Sequence, residues 1–309
     1  MDLSVISPTL LIASLMVAAT PILLAAIGEM VVEKAGVLNL GVEGMMIMGA
    51  VMGFIAAHET GGVWLGFAAA ALAGAVMALL FGVLTQFLLS NQVATGLALT
   101  LFGLGLSALL GQGYVGIKVD SLARLDMGVL SDLPFVGRVV FSHDPMVYVS
   151  LALCLGVWAF LRFSRAGLIL RAVGESHDAA HALGYNVRRV RLLAIAFGGA
   201  CAGLGGAYLS LVRVPQWTDG MTAGAGWIAL AIVVFASWRA ERVLIGAYLF
   251  GGIAVLQLNL QTAGARIPVE VLSAAPYLMT ILVLVLISRR AGRAGQAPAD
   301  LGKPFHPAS

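Results

Sequence analysis

Two groups of residues in this sequence combine polar side chains at spacings that could do chemistry. In His177-Asp-Ala-Ala-His181 two imidazoles stand four residues apart, on one face of a helix, the spacing with which paired histidines bind zinc in metalloproteases. Asp178 stands where such a site carries its general-base Glu, reaches less far, and is followed by no convincing third ligand. The pair therefore reads as surface residues and not a metal site, with an intramembrane zinc protease as the distant alternative. The second group begins with Glu43, which follows Asn39 at i+4 in an apolar stretch loosened by Gly36 and Gly41. A charge at the centre of a membrane helix costs about 2.5–3.5 kcal/mol, so an ionisable residue there is a functional candidate by default. Glu43 and Asn39 either line a polar path beside a helix break or brace the break itself. Asn91, Gln92 and Thr95 open another apolar run, as a helix cap or as path residues. Trp217 and Trp227 could stack on a flat ring or anchor at a membrane interface. Gln257, Asn259 and Gln261 end a further run, facing a pore or the interface.

The elements that must position these residues follow from composition. Of the 309 residues 60% are hydrophobic and 11% charged, with a mean hydropathy of +0.98; a soluble domain carries about 25% charge. Runs of roughly 20 apolar residues, enough to cross a bilayer, recur without the alternation of a barrel. The fold class is all-α, a polytopic membrane protein of about nine or ten helices. Spans are expected near 8–28, 41–57, 63–84, 93–112, 146–163, 191–212, 224–238, 243–260 and 273–288. The run 224–238 is short enough to be a half-helix. Gly199 and Gly203 form a GxxxG pair, a close-packing signal. Cys154 and Cys201, each isolated in an apolar run, read as small packing residues. The basic residues sit at helix ends, so the formal charge of +3 does not point to nucleic acid. The first residues lack the basic region and cleavage site of a signal peptide, and the first run reads as a permanent span.

Arg162, Arg165, Arg171, Arg188, Arg189 and Arg191 fall between the fifth and sixth spans; Arg239, Arg242, Arg289, Arg290 and Arg293 fall on the same side. The positive-inside rule makes that side cytoplasmic and places the start of the chain outside. The membrane-spanning body is 1–290, with an extracytoplasmic loop at about 113–145 and, at 291–309, a tail whose composition suggests disorder. Gly44 to Gly66 and Gly226 to Gly246 resemble each other and start from opposite sides, as two inverted repeats with broken helices would. Between the arginines, Arg171–Asn186 has helical character: Glu175 or Ser176 can cap its start and Gly184 can end it in the left-handed region. Ala179, Ala180 and Leu183 give it a small apolar face suited to a groove on a partner.

The pattern Arg171-Ala-Val-Gly-Glu-Ser-His-Asp-Ala-Ala-His-Ala-Leu-Gly184, directly before a Gly-rich span, resembles the coupling loop of ABC-transporter permeases. Glu33-Lys-Ala-Gly-Val-Leu-Asn-Leu-Gly-Val-Glu-Gly-Met-Met46 resembles a second signature of the branched-chain amino acid, ribose and nucleoside permease family. Asn91-Gln-Val-Ala-Thr-Gly-Leu-Ala-Leu99 resembles a third, with Gln92 where Glu is common. The resemblance implies that Arg171, Gly174, Glu175, Ala179, Ala180, Leu183 and Gly184 contact a cytoplasmic ATP-binding cassette subunit. The sequence has no phosphate-binding Gly-x-x-x-x-Gly-Lys-[Ser/Thr] motif of its own, so ATP and Mg would bind that partner and no cofactor this chain. It further implies a second permease subunit, an extracytoplasmic substrate-binding protein and a bacterial inner-membrane location. Nucleosides come first as substrate, then simple sugars, then branched-chain amino acids.

Overall fold

The computed structural model describes residues 8–125, 139–262 and 297–306, with a few isolated positions between 274 and 285. Among the described residues the chain forms helices α1 (Pro8–Lys34), α2 (Val42–Thr60), α3 (Val63–Gln86), α4 (Gln92–Gly111), α5 (Pro145–Phe163), α6 (Arg165–Glu175), α7 (His177–Ala182), α8 (Val187–Tyr208), α9 (Ala225–Phe235) and α10 (Ala240–Thr262). A π-helical turn, Leu209–Arg213, extends α8. Seven of these segments are long and apolar enough to cross a membrane, and α9 is a shorter apolar helix. They coincide with the spans expected from hydropathy, including the half-helix; the expected span 273–288 lies almost wholly outside the described residues.

Helix ends follow local chemistry. Asn91 caps α4 by accepting from the Ala94 amide, and Asp144 caps α5 by accepting from the amides of Met146 and Val147. Ser164, Ser176 and Asn186 cap α6, α7 and α8 in the same way. At Gly36 (φ +83°) the Val37 amide turns back to the Val32 carbonyl and the Gly36 amide to the Glu33 carbonyl, which ends α1 in a Schellman motif.

Glycine decides which helix sits in the middle. A methyl on Gly203 would strike the Ala70 carbonyl of α3, one on Gly206 the Met46 carbonyl of α2, and one on Gly198 the Val32 side chain of α1. α8 thus offers a smooth face to each of three neighbours, and the backbones approach closely because nothing stands between them. Cys201 packs over Gly28, and Cys154 lies against the Ala240 carbonyl; both are buried and free. α1, α2 and α8 form the interior, while α3 and α4 keep exposed leucines such as Leu72 and Leu101 on their outer faces.

Two helices begin inside the bundle. Beyond Gly36 the chain runs without helix to Gly41, and α2 starts with Gly44 against Leu99 and Thr100, midway along α4. From the other end, the chain leaves the π turn, pairs at Gln216 and Trp217 with Lys118 and Val115, and descends to α9. The first turn of α9 abuts that of α2: a Cβ on Gly226 would lie 2.5 Å from the Glu43 amide nitrogen. At 1.5 Å per residue α9 covers about 16 Å, half of a roughly 30 Å hydrocarbon core. Just beyond α9, Trp238 donates to Glu33 at the end of α1. Two interrupted helices therefore meet N-terminus to N-terminus at mid-depth, reached from opposite ends of the bundle.

Candidate functional site

Glu43 forms that meeting point. It is 4% exposed; its Oε1 accepts from the Thr222 hydroxyl at 2.6 Å and the Gly224 amide at 2.9 Å, and its Oε2 from the Gly226 amide at 2.7 Å. These donors belong to the opening turn of α9, where amides lack partners within the helix and the dipole favours an anion. Gly224, at φ +84°, turns the chain into the helix in a conformation a side chain would strain. Glu43 is thus a brace linking α2 to α9. Asn39 does not share its helix face, because α2 starts only at Val42. It lies in the non-helical segment, its Oδ1 accepting from the Gly41 amide at 2.9 Å and its Nδ2 3.5 Å from Met45 Sδ, so it shapes the break ahead of Glu43.

The other path candidates separate. Asn91 is the cap of α4, and Thr95 pairs with Ser90 at 2.8 Å. Gln92 is buried and accepts from the Leu38 amide at 2.8 Å, which ties α4 to the segment leading to α2. Trp217 is 1% exposed and wedged against Gly111, where no ring could stack on it. Trp227 follows Gly226 directly in the first turn of α9, next to the amide that Glu43 holds, and is 37% exposed. Gln257, Asn259 and Gln261 lie in the last turns of α10, Asn259 Nδ2 donating to the Val255 carbonyl.

Two acids were missed. Glu29 and Glu33, one turn apart on α1, are 1% and 2% exposed. The rule that singles out Glu43 applies to them equally, but a first span ending at residue 28 leaves them at the interface.

At the basic end of the bundle the segment 171–186 is two helices, not one. Ser176 breaks it: Arg171, Gly174 and Glu175 belong to α6, and Ala179 and Ala180 to α7. Gly184 does end the segment in the left-handed region, at φ +88°. Gly174 lets α6 press on the Lys34 carbonyl, and Glu175 is exposed. Ala179 is exposed and Leu183 is 76% exposed, so both can meet a partner. Ala180 turns inward, buried with Val173, Val187 and Phe305.

Phe305 belongs to residues 297–306, which fold back onto this end and are not the disordered tail their composition suggested. The Asp300 amide donates to the Gly174 carbonyl at 3.0 Å and the Gly302 amide to the Gly36 carbonyl at 3.1 Å. The Asp300 carboxylate accepts from the His177 amide at 2.8 Å and lies 2.7 Å from its Nδ1. His177 is therefore buried, contrary to its reading as a surface residue, and Phe305 meets both imidazoles edge-on. Burial holds the His177 imidazole below its usual pKa, with Asp300 pulling the other way. Burial pushes the Asp300 carboxyl up, but the bonds from His177 and Lys303 outweigh it and keep it below the usual range. Arg191, expected as an orientation marker, is fully buried. Its guanidinium donates to the Ala35 carbonyl at 3.2 Å, Gln86 Oε1 at 3.4 Å and the Lys303 carbonyl at 3.0 Å.

An interrupted-helix junction at mid-depth and a docked helical loop at the basic end are features of a transporter driven from one side. The sequence matches the branched-chain amino acid transport system permease component family over residues 11–287. The chain belongs to this family. It is similar to a protein of Haloferax volcanii provisionally described as a glucose ABC transporter permease, 42% identical over 86% of this chain and 88% of the relative. It is also similar to the nucleoside ABC transporter permease protein of Lactococcus lactis, 29% identical over 91% and 93%. A third relative is a guanosine ABC transporter permease protein of Bacillus subtilis, 30% identical over 96% of each chain. The protein is thus a multi-pass permease subunit of an ABC importer and not an enzyme, which removes the zinc-protease alternative. Membership implies a partner ATPase and a substrate-binding protein.

Proposed function

We propose that this permease carries a nucleoside by alternating access, through a path that passes the mid-depth junction. The observation that supports the substrate is Trp227, an exposed aromatic ring at the helix break, where transporters of interrupted-helix design hold their cargo. Stacking of a base on such a ring contributes about 1–3 kcal/mol, and two of the relatives named above are nucleoside or guanosine permeases. A simple sugar is the second reading, favoured by the relative at 42% identity.

In this reading the basic end faces the bacterial cytoplasm, where Glu175, Ala179 and Leu183 meet the ATPase that binds ATP and Mg. A related permease completes a heterodimer, and an extracytoplasmic binding protein delivers the solute. The test is uptake of labelled guanosine by the assembled transporter in competition with unlabelled nucleosides, glucose and ribose. Nucleosides should compete and sugars should not. Trp227→Ala should raise KM by roughly tenfold, the lower part of the stacking range, with kcat changed less. Competition by glucose alone would move the assignment to sugars, and an unchanged KM in Trp227→Ala would take Trp227 out of the substrate path.

A further inference from the structure

We propose that residues 297–306 are a strap that positions the ATPase-contacting helix α7, with Asp300 as its positioning residue. The inference rests on the reading of α7 as the coupling contact and deepens it. α7 has six residues, too few to hold a helical shape unaided. Its two buried residues are His177 and Ala180, and both face the strap: His177 is held by Asp300 through its amide and its ring, and Ala180 shares a cluster with Phe305. The inner support of α7 therefore comes from a segment more than a hundred residues further along the chain.

The strap is fixed in turn to the helices that cross the membrane. Asp300 and Gly302 pair with the backbone at the ends of α6 and α1, and the Lys303 carbonyl takes a hydrogen bond from buried Arg191 in the first turns of α8. Arg191 also holds the end of α1 at Ala35 and the end of α3 at Gln86. A push on Leu183 or Ala179 then passes through Asp300 and Arg191 into α1, α3 and α8 as one body. Without the strap, α7 would yield under the push and ATP would be hydrolysed without transport.

The test uses the assembled transporter in proteoliposomes, with a spin label at Asp178→Cys, whose side chain is 83% exposed on α7. Asp300→Ala and deletion of 297–309 should raise label mobility and lower substrate moved per ATP hydrolysed by about tenfold, the loss of a charge-assisted hydrogen bond. The ATPase subunit should stay bound in Asp300→Ala. If the deletion does not reach the membrane, Asp300→Asn decides: it keeps an oxygen for the His177 amide but loses the carboxylate for the ring, and should give intermediate mobility. Unchanged mobility and unchanged transport per ATP in the variants that assemble would overturn the strap. Glu175→Arg tests the underlying reading separately. If it leaves the ATPase bound and uptake normal, the coupling contact is wrong, whatever Asp300 does to the label.

Discussion

At the residue scale, the chemistry of this permease lies in a few buried polar groups whose partners come from distant parts of the chain. Glu43 joins the two interrupted helices through three donors. In Glu43→Ala the Thr222 hydroxyl and the amides of Gly224 and Gly226 lose their acceptor; each buried orphan costs about 1–3 kcal/mol. The variant should melt well below the parent in detergent and lose uptake. Glu43→Gln, which keeps one oxygen, should fall between them. A stable Glu43→Ala with normal uptake would show that the brace is dispensable. His177 gives a pH dependence of definite sign. Its pKa in the docked state lies below its ordinary value of about 6.5, so the undocked state takes up the proton first. Docking of the strap is then fully stable above about pH 6.5 and weakens as pH falls from there through the lowered pKa. Asp300, Arg191, Asp178 and Lys303 are the charges that act on the ring. Hydrogen exchange of residues 297–306 should rise over that interval, and His177→Gln should abolish the rise.

At the scale of elements, α8 is central because it presents glycine on several sides. Gly203 has no room for a methyl, whereas one on Gly105 of α4 would meet nothing within 4 Å. Gly203→Ala should therefore force α8 from α3 and destabilise the fold. Gly105→Ala should be neutral or stabilise by about 0.5–1 kcal/mol, since alanine is the better helix former. Thermal melts of the two purified variants compare a tight and an open glycine directly. The GxxxG spacing of Gly199 and Gly203 signals such packing in the sequence. That α8 uses Gly198 against α1 and Gly206 against α2 as well is set by how the neighbours surround it. Likewise the cap at Ser176 is legible, and its effect is to split the expected coupling helix into α6 and α7.

At the scale of the whole molecule, the bilayer is the solvent that decides what an exposed leucine means. Leu101 on α4 and Leu183 after α7 are 71% and 76% exposed, but one sits on a helix long and apolar enough to cross a membrane and the other just beyond a helix of six residues. Leu101→Arg should cost about 2.5–3.5 kcal/mol of insertion and reduce the fraction found in membranes. Leu183→Arg should insert normally and lose the ATPase; membrane fractionation with co-purification separates the two effects. By itself the sequence determined the all-α fold class and, among the described residues, the apolar helices long enough to cross a membrane and the short one that follows α8. These rest on local composition, on spacing, and on motifs that lie within short stretches. Only the tertiary structure decided what those segments join. Asn39 and Glu43 are four residues apart, yet a helix break separates their roles; Glu43 and Gly226 are far apart in the chain, yet form one site. The final segment, polar and rich in small residues, has no core of its own and reads as unstructured. Residues 297–306 are ordered because Asp300, Lys303 and Phe305 find their partners on helices already folded, and no local pattern encodes that.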